Sequence, residues 1–234
     1  EEEIVFVHGI GRRKTHLQKS IETLELHLSK LKEYTKKLHV CRARNSYSKT
    51  DPDATFMRMK EDAMLNGQLK PAYNLQHGVD AQYITWLDIS ARPTDTRTLI
   101  PFLQEMELIL PFKYHEIVTD AGYESEENYL FLEGNGQLAY IKPQTYESSK
   151  TRKYRHDIGR MENMVYNKEK DCYQCKNGQT LTAQYEKKEQ TASGYRRTVT
   201  GYQCSRCSGC PHKTECIKGN NCKTPMEERQ KVLY

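Results

Sequence analysis

The segment Ile117-Val-Thr-Asp-Ala-Gly-Tyr-Glu-Ser125 holds the residues best placed for chemistry. A short apolar run ending in an aspartate, then a glycine and a helix start, delivers a carboxylate into the crevice outside a strand's carboxyl end. Two carboxylates delivered this way can hold Mg²⁺ ions, which activate a water or a 3′ hydroxyl and stabilise the leaving oxygen of a phosphodiester. Taken alone, Asp120 reads more readily as a turn or helix-capping residue.

A second chemistry sits downstream. Seven of the eight cysteines lie between Cys172 and Cys222, as Cys172-x-x-Cys175, then 28 residues, then Cys204-x-x-Cys207-x-x-Cys210, Cys216 and Cys222. Two close pairs around a hairpin-sized insert can supply four thiolates to Zn²⁺ and fold a segment too polar to fold alone. Seven candidates for four places leave the ligand set open, with His212 a weaker one, and the tight run from Cys204 to Cys210 also fits iron–sulfur spacing. Around the cysteines, Tyr146, Tyr154, Tyr166, Tyr185, Tyr195 and Tyr202 are interleaved with Lys150, Arg152, Lys153, Arg155, Arg160, Lys187, Lys188, Arg196 and Arg197. Such mixtures can hold phosphates while rings stack on bases; equally, the tyrosines can be strand residues of a zinc-ribbon hairpin. A third motif, Ile4-Val-Phe-Val-His-Gly-Ile-Gly11, has the look of an oxyanion loop, but no Gly-x-Ser-x-Gly nucleophile turn accompanies it.

These groups need positioning elements. Leu17, Ile21, Leu24, Leu28, Leu31 and Leu38 alternate four- and three-residue spacings, with Thr35 in the remaining slot, which predicts a long helix with a coiled-coil or helical-hairpin seam. Glu3 to Val7 is a strand candidate, Thr55 to Ala63 a short helix. Strands are expected at Tyr73–Val79, Tyr83–Ile89, Glu116–Thr119 and Leu138–Ile141. Helices should run from Thr94 or Asp95 to about Leu110, and from a Ser125 cap to near Gly134. Thr224 to Tyr234 reads as the start of a further helix. Hairpin, helix, strand, helix, strand is an α/β order.

Charge is segregated: residues 11 to 50 carry a balance of +8, residues 51 to 141 one of −9, and residues 142 to 234 one of +9. Basic flanks suit a polyanion and an acidic centre suits divalent cations. No apolar run approaches the roughly 20 residues that span a bilayer, and the acidic start does not fit a signal peptide. A cytoplasmic, nucleoid-associated protein is expected, with metal-bound rather than disulfide-bonded cysteines.

Asn45-Ser-Tyr-Ser-Lys-Thr-Asp-Pro-Asp-Ala54, Gly67-Gln-Leu-Lys-Pro-Ala-Tyr-Asn-Leu-Gln76, Val79-Asp-Ala81, Asp95-Thr-Arg-Thr-Leu-Ile-Pro-Phe-Leu103, Thr119-Asp-Ala-Gly-Tyr-Glu-Ser-Glu-Glu-Asn-Tyr129 and Tyr140-Ile-Lys-Pro143 follow one another in order. With the Cys-Pro block at Cys210, they resemble successive blocks of bacterial insertion-sequence transposases of the DDE, ribonuclease H-like superfamily. The resemblance implies a metal-dependent nuclease and strand-transfer core, using Mg²⁺ or Mn²⁺ at an acid triad and acting on transposon-end DNA. It implies that Asp120 is the second acid, and it favours Cys175, Cys207, Cys210 and Cys216 as zinc ligands.

The family core opens with three antiparallel strands, the first bearing the first acid. Only two precede the helix at Thr94, which puts the first acid upstream of Glu1 and Asp80 at the wrong end of strand two. Were Tyr73–Val79 strand one, Asp80 would be that acid. The third acid, a helix-borne glutamate after the cysteines, is not visible before Tyr234.

The expected architecture is therefore α/β: a strand and basic helical arm over 1–66, a ribonuclease H-like mixed sheet, incomplete in this stretch, over 67–143, and a basic, cysteine-rich zinc-binding β insert over 144–234. Arg152, Lys153, Arg155, Arg160, Arg196 and Arg197 are the expected DNA contacts, and the Leu17 to Leu38 helix the expected homodimer seam. Such a fragment would be inactive alone; the other reading is a catalytically dead DNA-binding or assembly remnant.

Overall fold

A computed structural model describes residues 6–11, 13–59, 62, 64–219 and 221–234. The chain divides into two compact units, the first ending at Pro111 and the second beginning at Phe112. Most of the Glu3–Val7 strand candidate lies outside the described residues.

In the first unit, helix α1 spans His16–Cys41. Thr15 caps it, its hydroxyl accepting from the Gln18 amide at 3.2 Å. Gln18 is fully buried because its side chain bonds both the amide and the carbonyl of Val7, each at 2.9 Å. Beyond that first turn the leucine seam lies open, with Leu24, Leu31 and Leu38 at 66, 63 and 71% exposure. At the far end the Arg44 guanidinium donates to the carbonyls of Val40, Pro52 and Asp53, fastening the helix to the loop that follows.

The first four residues of the expected short helix Thr55–Ala63 form a strand instead, and 60, 61 and 63 lie outside the described residues. Thr55–Arg58 is strand β1, paired antiparallel with β2, Leu69–Ala72, from Thr55 opposite Ala72 to Arg58 opposite Leu69. Thr55 and Met57 turn inward and Phe56 and Arg58 outward, the period-two pattern of a strand. Strands β3, Asn74–Asp80, and β4, Tyr83–Ser90, form a hairpin closed by Asp80 opposite Tyr83, with a bulge between Gly78 and Val79. Helix α2, Leu99–Ile109, buries Leu99, Phe102, Leu103 and Met106. Phe102 packs on the hairpin so closely that a Cβ at Gly78 would sit 3.1 Å from its ring.

In the second unit, β5, Glu116–Thr119, pairs parallel with β6, Leu138–Ile141, in register Glu116 to Leu138 through Thr119 to Ile141. Helix α3, Glu126–Gly134, connects them. The Ser125 hydroxyl accepts from the Asn128 amide, and Glu126 and Glu127 complement the helix dipole in the first turn. Short helices α4, Tyr146–Ser149, and α5, Arg152–Arg155, lead to an antiparallel sheet. Its strands are β7, Val165–Asn167; β8, Cys172–Gln174; β9, Thr180–Gln190; β10, Arg196–Cys204; and β11, Val232–Leu233, in the order β11-β10-β9-β8-β7. A single helical turn, α6, Lys213–Cys216, lies between β10 and β11. Residues 224–234 do not begin a helix: Val232 and Leu233 extend the sheet beside Gln203 and Tyr202, and the Cys204 amide donates to the Lys231 carbonyl. The core here is Leu181, Cys204, Cys207 and Leu233, with Tyr173, Cys175, Tyr202 and Ile217 against it. The chain is thus mixed α/β, and among the described residues no helix is long and apolar enough to cross a membrane.

Candidate functional site

Asp120 is the first residue past β5 and is exposed. Its carboxylate accepts from the Gly122 amide at 2.8 Å, capping the single 3-10 turn Ala121–Tyr123. Asn128, fully buried, then donates to the Tyr123 carbonyl at 2.7 Å and locks this turn to α3. At the opposite end of β5, Gln137 donates to the Tyr114 carbonyl at 2.9 Å. Neither amide side chain stands out in the sequence; their roles depend on contacts outside any short motif.

The loop after β6 closes on the loop after β5. Glu124 accepts from the Gln144 amide at 2.5 Å, and the Gln144 side chain donates to the Glu124 carbonyl at 3.2 Å. Lys142 follows β6 directly, and Glu147 bridges it to Lys150 at 2.8 and 3.1 Å over the Tyr146 ring. Lys142 is held above its ordinary pKa, chiefly by its hydrogen bond to Glu147 and in smaller part by the nearby Asp120. Glu147 is held below the usual carboxylate range by Lys142 and then Lys150. One strand-end carboxylate beside a lysine-flanked glutamate cannot by itself organise a pair of Mg²⁺ ions. Among the described residues no three His, Cys, Asp or Glu side chains are grouped to hold a metal ion. Asp80 lies at the tip of the β3–β4 hairpin in the first unit and is exposed.

The cysteines gather at one end of the antiparallel sheet. Cys175 sits in the turn after β8, where its amide donates to the Gln179 carbonyl and its carbonyl accepts from Gly178. Cys204 ends β10, Cys207 and Cys210 follow, and Cys216 ends α6. Cys175, Cys204, Cys207, Cys210 and Cys216 line one cavity with about 20 Å³ of free room, enough for a single water or ion. Cys172 and Cys222 are not part of its lining, nor is His212. Burial, with Cys207 and Cys175 nearby, pushes the Cys204 thiol up to about 12, and burial raises Cys216 as well. The donors are soft and suit zinc, although the thiols are not drawn to ligand spacing. Two lysines carry no signal in the sequence. Lys213, buried on the cavity wall, donates to the Glu227 carbonyl, and the Lys231 amide donates to the Cys207 sulfur at 3.4 Å.

The basic residues fall into two sets. Arg152, Lys153 and Arg155 are exposed on α5, and Arg196 on β10. Arg155 also lines a larger cavity with His156, Asn163, Gln174, Cys175 and Lys176. Arg160 and Arg197 are paired at the surface: Arg160 lies 4.0 Å over the Tyr154 ring and pairs with Asp157, while Arg197, itself exposed, pairs with Glu189 at 2.9 Å. Most of the tyrosines are tied in too. Tyr166 and Tyr202 donate to Asp171, Tyr195 to Glu126, and Tyr185 to Tyr234.

A carboxylate at the end of a parallel strand, carried with a cysteine-lined antiparallel sheet on a mixed α/β scaffold, defines the class of chain. Residues 44–206 match the family model of the transposase DDE domain, and the chain belongs to that family. The match takes in β1 through β10, so Asp80, Asp120, Cys175 and Cys204 fall inside it, while α1, Cys207, Cys210 and Cys216 fall outside. No curated protein and no solved structure matches the chain. The function is accordingly that of a transposase.

Proposed function

We propose that this chain is the ribonuclease H-like core of an insertion-sequence transposase that cleaves and joins DNA at the ends of its element, on the bacterial nucleoid. The observation that carries the reading is Asp120 at the carboxyl end of β5, inside the family match. In it, Asp120 is one acid of a site for Mg²⁺ or Mn²⁺, which would supply Lewis acidity at the scissile phosphate. Asp80 is the alternative first acid. Arg152, Lys153, Arg155 and Arg196 hold DNA phosphates, with Arg160 and Arg197 as supports whose partners fix the surrounding backbone. Cys175, Cys207, Cys210 and Cys216 bind one structural Zn²⁺, a reading supported by their shared cavity. The exposed seam of α1 joins two copies of the chain.

By this reading the 234 residues alone do not cut DNA, because Asp120, even with Asp80, lacks the full set of converging carboxylates that two-metal transfer needs. The test is Mn²⁺ titration followed by paramagnetic line broadening, with a DNA cleavage assay alongside. Broadening should centre on Ala121, Gly122 and Lys142, vanish in Asp120→Asn, and be accompanied by no cleavage. Broadening indifferent to Asp120→Asn would remove Asp120 from the metal site. Asp120-dependent cleavage by this chain would show that the acid set is complete.

A further inference from the structure

We infer that α1 pairs with α1 of a second copy as an antiparallel coiled coil, in the register that sets Leu28 against Leu31 of the other helix. The inference rests on the dimer reading above and adds its orientation and register. Heptad positions a fall on Ile21, Leu28 and Thr35, and positions d on Leu17, Leu24, Leu31 and Leu38. The flanking positions are then Gln18, Glu25, Lys32 and His39 on one side and Ser20, His27 and Tyr34 on the other.

Charge decides among the pairings. A parallel pair sets Ser20 against Glu25, His27 against Lys32 and Tyr34 against His39, with no opposite charges facing. The antiparallel pair with layers Ile21–Leu38, Leu24–Thr35 and Leu28–Leu31 sets Glu25 against Lys32 twice, by symmetry. Shifting that pair by one heptad brings Glu25 onto Glu25 in one direction and Lys32 onto Lys32 in the other, so both neighbouring registers set like charges together. The favoured register rests on Leu24, Leu28, Leu31 and Leu38, which the chain leaves exposed, with the half-buried Ile21 at its edge, and antiparallel helices also align their dipoles favourably. Among the described residues Glu25 and Lys32 form no ion pair within the chain, whereas Glu22 pairs with Lys14, and Glu33 with Lys30 and Lys37.

Sedimentation equilibrium on the full chain tests both levels. Wild type should dimerise, and Leu31→Asp, on an already exposed position, should be a monomer with unchanged helix content by circular dichroism. Glu25→Lys and Lys32→Glu should each weaken the dimer on the order of tenfold at low salt, and the double variant should recover most of that loss. A monomeric wild type, or a dimer insensitive to Leu31→Asp, overturns the dimer reading itself. A Leu31-dependent dimer in which Lys32→Glu associates as tightly as wild type, or tighter, keeps the dimer and overturns the antiparallel register, since a parallel pair faces Lys32 with His27.

Discussion

Asp157 shows how a single side chain can set an acid limit for the second unit. Lys218 above all, then the Gly159 amide, hold its carboxyl below the ordinary value of 3.8, against the opposing effect of burial. A depressed folded pKa contributes stability above the unfolded pKa, and that contribution fades as pH falls through the folded value. Asp157→Ala should lower stability by about 1 kcal/mol at neutral pH and leave it closer to wild type near pH 2. Thermal unfolding across that range checks it; equal destabilisation at both ends would mean that the charge is not the cause. Asp120 was legible in the sequence because a strand, an acid, a glycine and a Ser125 cap are all local signals. Asn128, Gln137 and Lys213 were not, because what they do depends on partners 5, 23 and 14 residues away.

At the scale of elements, Gly159 is the tightest joint in the cysteine region. A Cβ there would lie 2.4 Å from the carbonyl oxygen of Cys216, a backbone atom with little freedom to yield. Gly159→Ala should therefore cost about 1 to 3 kcal/mol and displace the turn carrying Cys216 from the other thiols. If the cavity holds zinc, purified wild type should contain about one ion per chain, and chelation should unfold residues 171–222 first. The glycine variant should release the ion more readily; elemental analysis finding neither zinc nor iron would end the metal reading. The two elements misread from sequence fail for one reason. Thr55 and Phe56 favour a strand, but the Met and Arg that follow them, like the run from Met226 to Lys231, favour a helix, and it is pairing with Leu69–Ala72 and with Tyr202–Gln203 that makes strands of Thr55–Arg58 and Val232–Leu233. Non-local pairing overrode local propensity.

For the whole molecule the dominant fact is charge, basic at 11–50 and at 142–234 and acidic between. DNA affinity should be tolerant of sequence and fall steeply with salt. Replacing Arg152, Lys153, Arg155 and Arg196 with Gln should flatten the dependence of log affinity on log salt by about 0.9 for each phosphate that is no longer neutralised. Gln at Arg197, already paired with Glu189, should change the slope little. Fluorescence anisotropy from low to physiological ionic strength decides it, and affinity indifferent to salt would remove the basic faces as the binding surface. The α/β order of elements was readable because hydrophobic period and capping are local. The division between Pro111 and Phe112 was not, since it falls in a loop with no compositional break.

The long β9–β10 hairpin is secured where such hairpins usually fray. At its tip the Thr191 amide donates to the Tyr195 carbonyl, Ser193 reaches Glu127 at 2.5 Å and Tyr195 reaches Glu126 at 2.8 Å. Glu126 and Glu127 are the opening residues of α3, the helix whose entry turn carries Asp120. Protection of the tip amides against hydrogen exchange is thereby tied to the integrity of that helix, so opening the tip means first undocking it from α3.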